Sequence, residues 1–229
     1  MHRAWKPALI AILLAPSPAL AFHAGSDMDK VPGAGGGGGL TYVGVPTEHG
    51  LTCAACHTDA PGKIAINLND STNSLFSNFT YEVGKSYPLT ATLSGDTTKI
   101  DHFDSIAVSI VDDQGKAVGT ISGFGADDFY QAANGSILSA GKKWNVTTWT
   151  FTWTAPDAQV GRVHLHVASV AGNAAGVPGL TISDPFGDDV FVGTLDLDPA
   201  GATASRDESE PSPFAFFACA FFFRKRRRP

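Results

Sequence analysis

Thr148-Trp149-Thr150-Phe151-Thr152-Trp153-Thr154 sets a threonine beside an aromatic ring at every step. Successive side chains of a strand leave on opposite faces, so Trp149, Phe151 and Trp153 share one face and the threonines the other. That is the pattern of a half-buried strand, and its rings are read most simply as core. Working outward from it, Tyr87, Leu89, Ala91 and Leu93 alternate with Pro88, Thr90 and Thr92. Ile106, Val108 and Ile110 repeat the period, Asp112-Asp113-Gln114-Gly115 supplies a turn, and Ala117–Ile121 is expected to return as the next strand. Val163, Leu165 and Val167 form another, with His164 and His166 on its opposite face. Ile64–Leu68, Leu180–Ser183 and Val190–Leu195 complete the set. No window of helical length keeps an apolar stripe of period 3.6. Seven or more short strands separated by turn signals predict an all-β fold, a β-sandwich.

Just before the first strand stands Leu51-Thr52-Cys53-Ala54-Ala55-Cys56-His57. Its C-x-x-C-H spacing is that of c-type haem attachment. Two thiols on one tight turn reach the two vinyl groups of a porphyrin, and the adjacent imidazole takes the proximal position on iron. Other readings remain open at this point. Cys53 and Cys56 form a disulfide without any haem in an oxidising compartment. A zinc site from His49, Cys53, Cys56 and His57 is a second reading, although neighbouring Cys56 and His57 make an awkward pair on a tetrahedral metal. A thioredoxin-like site is disfavoured, since no βαβ pattern surrounds the motif. With haem bound, a second axial ligand is sought among His102, His164 and His166. His49 lies too near the motif, His23 sits on the arm, and the two methionines are Met1 and Met28. An iron left five-coordinate is the other outcome.

Covalent haem attachment belongs outside the cytoplasm, and the N-terminus fits export. His2, Arg3 and Lys6 precede the apolar run Pro7–Leu14, and Ala19-Leu20-Ala21 is a small-x-small cleavage site. Residues 1–21 are therefore expected as a signal peptide and 22–50 as a flexible arm, with Gly35–Gly39 as its least constrained part. Residues 51–63 would carry the attachment motif and 64–200 the sandwich. Between Phe22 and Pro213, 22 acidic residues face 9 basic ones, a formal charge of −13. Such a body disfavours nucleic acid and could steer a basic redox partner, although acidity is common in plain soluble proteins and that is the simpler explanation.

The end of the chain changes character. Residues 201–213 are a polar linker, Phe214–Phe223 is apolar, and Arg224–Arg228 is basic. That order fits a C-terminal sorting or anchor tail with its basic end in the cytoplasm. Ten helical residues rise only about 15 Å against a bilayer core of about 30 Å, so a degenerate or frame-shifted tail is the alternative.

Several stretches together bring a family to mind. Tyr81-Glu82-Val83-Gly84-Lys85-Ser86-Tyr87 is followed by Trp149-Thr150-Phe151-Thr152-Trp153-Thr154-Ala155-Pro156. Gly172-Asn173-Ala174-Ala175-Gly176 and Gly187-Asp188 come next, and Thr52–His57 precedes them all. In that order they resemble the bacterial choice-of-anchor V domains, which are distantly similar to Reelin-type (Reeler) sandwich domains. The resemblance covers roughly Gly50 to Leu197. It implies an Ig- or Reeler-like sandwich, exported and presented at the cell envelope through a C-terminal sorting signal. Many such relatives place a His-Thr pair shortly before the tryptophan strand, where Ala140–Trp144 carry no histidine here.

Weaker signals complete the reading. Asp184, Asp188 and Asp189 offer oxygens to calcium but lack EF-hand spacing, and a solvated loop is the simpler expectation. Asn78, Asn134 and Asn145 begin glycosylation sequons. No serine elbow and no H-E-x-x-H motif supports hydrolysis. Taken together, the chain reads as an exported monohaem c-type electron carrier of the periplasm or cell surface. The runners-up are an adhesion or binding sandwich with a Cys53–Cys56 disulfide, and a haem-based sensor of small ligands.

Overall fold

The computed structural model describes residues 25–30, 37–55, 57, 64–95, 103–141, 143, 145–172 and 188–201. Ten strands follow in order: β1 (Ile64–Asp70), β2 (Thr80–Tyr81), β3 (Ser86–Gly95), β4 (Phe103–Asp112), β5 (Thr120–Ser122), β6 (Phe129–Gln131), β7 (Ile137–Ser139), β8 (Thr148–Thr154), β9 (Val163–Gly172) and β10 (Asp189–Pro199). They form two sheets, β1-β3-β8-β5 and β2-β10-β9-β4-β7-β6. All pairings are antiparallel except the short parallel one between β2 and β10. Facing sheets with one shared apolar core make a β-sandwich.

Strand β8 decides how the layers meet. Trp149, Phe151 and Trp153 point inward and its threonines do not. Trp153 stacks on Tyr87 of β3 at 5.7 Å and meets Tyr81 of β2 edge-on at 5.8 Å, while Phe151 meets Phe129 of β6 at 6.0 Å. Tyr81 and Phe129 belong to the other sheet, so the aromatic strand links the two layers. Close packing extends to the backbone at Gly119, where an added Cβ would lie 2.3 Å from the carbonyl oxygen of Thr154 and 2.6 Å from Trp153 Nε1. Its φ of +70° is also a conformation side chains avoid.

Two expectations need correction. Ala117–Ile121 returns beside β4 only at its start. Ala117 bridges to Val111 and Val118 N–H donates to the Ile110 carbonyl at 3.0 Å, and the chain then crosses to the other sheet, where Thr120–Ser122 pairs with β8. The second concerns the arm. Residues 41–48 are packed against the protein, with Thr41, Val43, Val45 and Glu48 all buried. The reason lies in the outward face of β4 and β9, where Ala107 and Ala168 leave room for a covering segment. Val43 and Val45 join Ala107, Val111, Ala132, Leu138 and Ala168 in a second, smaller core, with Cys53 packed at its margin. Leu180–Ser183, expected as a strand, lies outside the described residues, as do the leader and the apolar tail. Among the described residues no helix is long and apolar enough to cross a membrane.

Candidate functional site

The turn at Cys53–Ala55 lies on the outer side of the six-stranded sheet. Val43 forms an antiparallel bridge with Thr52, and the 3-10 turn Cys53–Ala55 follows at once, set against β9 and β10. His57 N–H donates to the carbonyl of Cys53 at 3.0 Å, closing one turn of chain between the first cysteine and the histidine. Cys53 is half-buried, and its thiol lies 3.6 Å from the carbonyl of Tyr42. Cys56 lies outside the described residues.

The His57 ring is fixed by a residue far along the chain. Its Nδ1 stands 2.7 Å from Oδ2 of Asp188, directly before β10. Asp188 is only 3% exposed and the His57 side chain 16%. A carboxylate accepts and does not donate, so Nδ1 carries the hydrogen, and in the neutral ring Nε2 keeps the lone pair. That is how a metal-binding imidazole is commonly prepared: one nitrogen is held by an outer acceptor and the other is offered to the metal. The donor set therefore fits an iron-ligating histidine.

The other histidines occupy different stations. His164 has both nitrogens taken, with Asp196 at Nδ1 and Asp113 at Nε2, each at 2.8 Å. Burial works against its protonation, but bonds to Asp113 and Asp196 outweigh that and raise its pKa above the ordinary value. Two carboxylates on two ring nitrogens describe an imidazolium cation, not a metal ligand. His166 is buried, with Nδ1 3.0 Å from Thr194 Oγ1, and Nε2 makes no hydrogen bond among the described residues. Burial, then the charge of His164, lowers its pKa. Ala171, the partner of Asp189, lies five residues further along β9, roughly 16 Å at about 3.3 Å per residue. His57 bonds to Asp188 and Cys53, and no hydrogen bond or ring contact joins it to His164 or His166 among the described residues. His102 lies outside the described residues.

A pH test follows for His164. Its folded pKa is raised, so its stabilisation is complete below the unfolded value of about 6.5 and is lost as pH rises through the folded value. The stability difference between the unsubstituted protein and His164→Gln should be larger near about pH 6 than near about pH 8.5. Denaturant titrations at both pH values read it, and a difference independent of pH would remove the imidazolium.

Of the carboxylates considered for calcium, Asp188 is bonded to His57, Asp189 opens β10, and Asp184 is not described. No group of three or more His, Cys, Asp or Glu residues that could hold a metal ion occurs among the described residues. Asn134, read as a sequon, donates to Glu48 at 3.0 Å and accepts from Ser136 N–H at 3.0 Å. Sequence reasoning weighed Asp188 only as a calcium candidate and as part of the Gly187-Asp188 resemblance, and it gave no signal for the bond to His57 or for the contacts of Glu48.

Fold and site together define a β-sandwich with a histidine-bearing turn docked on one sheet and held by a buried carboxylate. The chain is similar to the human F-spondin reeler domain (fragment 2), at 14% identity over 62% of this chain and 96% of that one, with a TM-score of 0.39. The Reelin-N domain of F-spondin is similar at 15% identity, covering 64% and 95%, with a TM-score of 0.40. A cohesin module from a Clostridium perfringens family 33 glycoside hydrolase shows 10% identity, 60% and 97% coverage, and a TM-score of 0.33. No family model and no curated protein matches the chain.

Proposed function

We propose that this protein is an exported monohaem c-type electron carrier whose β-sandwich displays the cofactor on the outer side of its larger sheet. One observation carries the reading: within a C-x-x-C-H turn, His57 has Nδ1 engaged by Asp188, which leaves Nε2 as the metal-binding nitrogen. Cys53 and Cys56 would hold the ring by thioethers and His57 the iron. Bound there, haem supplies a one-electron couple whose potential depends on ligation, burial and nearby charge. The chain's own part is to present the two thiols and the histidine on one turn, orient the imidazole, and fix the turn to a rigid sheet. A leader at 1–21 would support attachment outside the cytoplasm, and a tail at 214–229 would keep the protein at the envelope.

The test is direct. Mature protein made with a haem c maturation system should give a pyridine haemochrome spectrum. It should also keep its peroxidase stain through denaturing electrophoresis. Unstained protein with the mass of the bare chain less two hydrogens would replace the reading with a disulfide-bearing binding module.

A further inference from the structure

We infer that Asp188 is the positioning residue of the haem site, acting through His57 to favour the oxidised state of the iron and so lower the midpoint potential. The inference rests on the haem reading above and concerns what this chain adds to it. A neutral acceptor, such as a backbone carbonyl, would orient the His57 ring equally well. Here the acceptor carries a formal charge, at 2.7 Å from Nδ1. Asp188 is 3% exposed, so water screens that charge weakly. A strong acceptor at Nδ1 draws on the N–H bond and makes the opposite nitrogen a better electron donor. Both effects stabilise the more positive of two iron states, the oxidised one.

Placement supports a built contact. Asp188 immediately precedes β10, which pairs with β9 without interruption from Asp189↔Ala171 to Leu197↔Val163. The turn carrying His57 is anchored separately, by the Val43–Thr52 bridge and the packing of Cys53 on the second core. The bond therefore joins two independently held elements 131 residues apart.

The experiment uses the mature holoprotein with covalent haem, titrated at an electrode through mediators that supply and withdraw one electron. Asp188→Asn keeps the shape and one acceptor oxygen but removes the charge. We expect its ratio of oxidised to reduced protein at a fixed potential to fall at least tenfold, an upward shift of about 59 mV for one electron. Asp188→Glu keeps the charge and should lie between Asn and the unsubstituted protein. If haem-loaded Asn and Glu variants both share the unsubstituted potential, the inference is overturned. A second measurement needs no variant. In the reduced protein, after photolysis of bound carbon monoxide, the iron–imidazole stretch in resonance Raman should lie above that of a neutral imidazole bonded to a carbonyl. A stretch at the neutral value also overturns the inference. If the unsubstituted protein takes up no haem, the functional reading falls and this inference with it, an outcome distinct from a haem-loaded variant of unchanged potential.

Discussion

Trp153→Ala is expected to cost about 3–5 kcal/mol of unfolding free energy, the usual range for emptying a large aromatic site in a core. The indole is fully buried between two sheets, stacked on Tyr87 and met edge-on by Tyr81. Its Nε1–H donates to the carbonyl of Val118 at 3.1 Å. Alanine would leave a cavity and an orphaned carbonyl in the same place, and these penalties add. Backbone collapse cannot easily fill the gap, because β8 is held in register by β3 on one side and β5 on the other. Trp153→Phe separates the contributions: it keeps a ring but not the N–H, and should cost about 1–3 kcal/mol. Urea titration measures both through the midpoint, with the slope unchanged if the unfolded state is not affected. A loss below about 1 kcal/mol for the alanine variant would show that the aromatic strand does not carry the inter-sheet core.

The same residue shows why much of this fold was legible. A strand with one buried face writes its geometry into the chain as alternation, and β3 and β8 do so over ten and seven residues; β4 and β9, covered on both faces, keep it only in Ile106, Val108 and Ile110 and in Val163, Leu165 and Val167. Strands β2, β6 and β7 have two or three residues each, too few for a period to register. They exist because partners in the sheet supply the hydrogen bonds. The crossing at Thr120 was hidden for a related reason: Ala117–Ile121 has strand character, but nothing local says which sheet it joins.

The site divides along the same line. His57 was readable as a candidate because the C-x-x-C-H spacing lies within neighbouring residues of the chain. Asp188 was not, since a Gly-Asp-Asp run reads as a solvated turn until the fold carries it to the imidazole. His164 and His166 were correctly placed on one strand face, and their rings lie 6.3 Å apart. Alternation says nothing about where along a strand an outside partner sits, so their separation from His57 emerged only with the register. The arm misled for a physical reason too. Its glycines suggest slack chain, yet Thr41, Val43 and Val45 alternate over five residues and are pinned by a carboxylate three places later.

That carboxylate is the second point at which one substitution should have a large effect. Glu48 is 4% exposed and accepts from Thr41 N–H with both oxygens at 2.9 Å, Thr41 Oγ1 at 2.7 Å, Tyr42 N–H at 3.0 Å and Asn134 Nδ2 at 3.0 Å. It joins the arm to itself and to the β6–β7 turn of the sheet beneath. Glu48→Ala would strand two backbone N–H groups and an amide in a buried setting, at about 1–3 kcal/mol for each donor left unpaired. Water entering from the edge would recover part of this, so about 3 kcal/mol is expected in total. The loss should be local before it is global, because Val43 and Val45 cover the sheet's outer face while the inter-sheet core lies on the other side. Hydrogen exchange should therefore show the amides of residues 41–45 losing protection first, with β8 and β9 unchanged under native conditions. Glu48→Gln, which puts an amide N–H₂ among donors, should fall between alanine and the unsubstituted protein. Because Val43 bridges to Thr52, freeing the arm also frees the start of the Cys53–Ala55 turn. Unchanged protection at residues 41–45 in the alanine variant would mean that Val43 and Val45 hold the arm without the carboxylate, and that the Cys53–Ala55 turn is positioned by apolar packing alone.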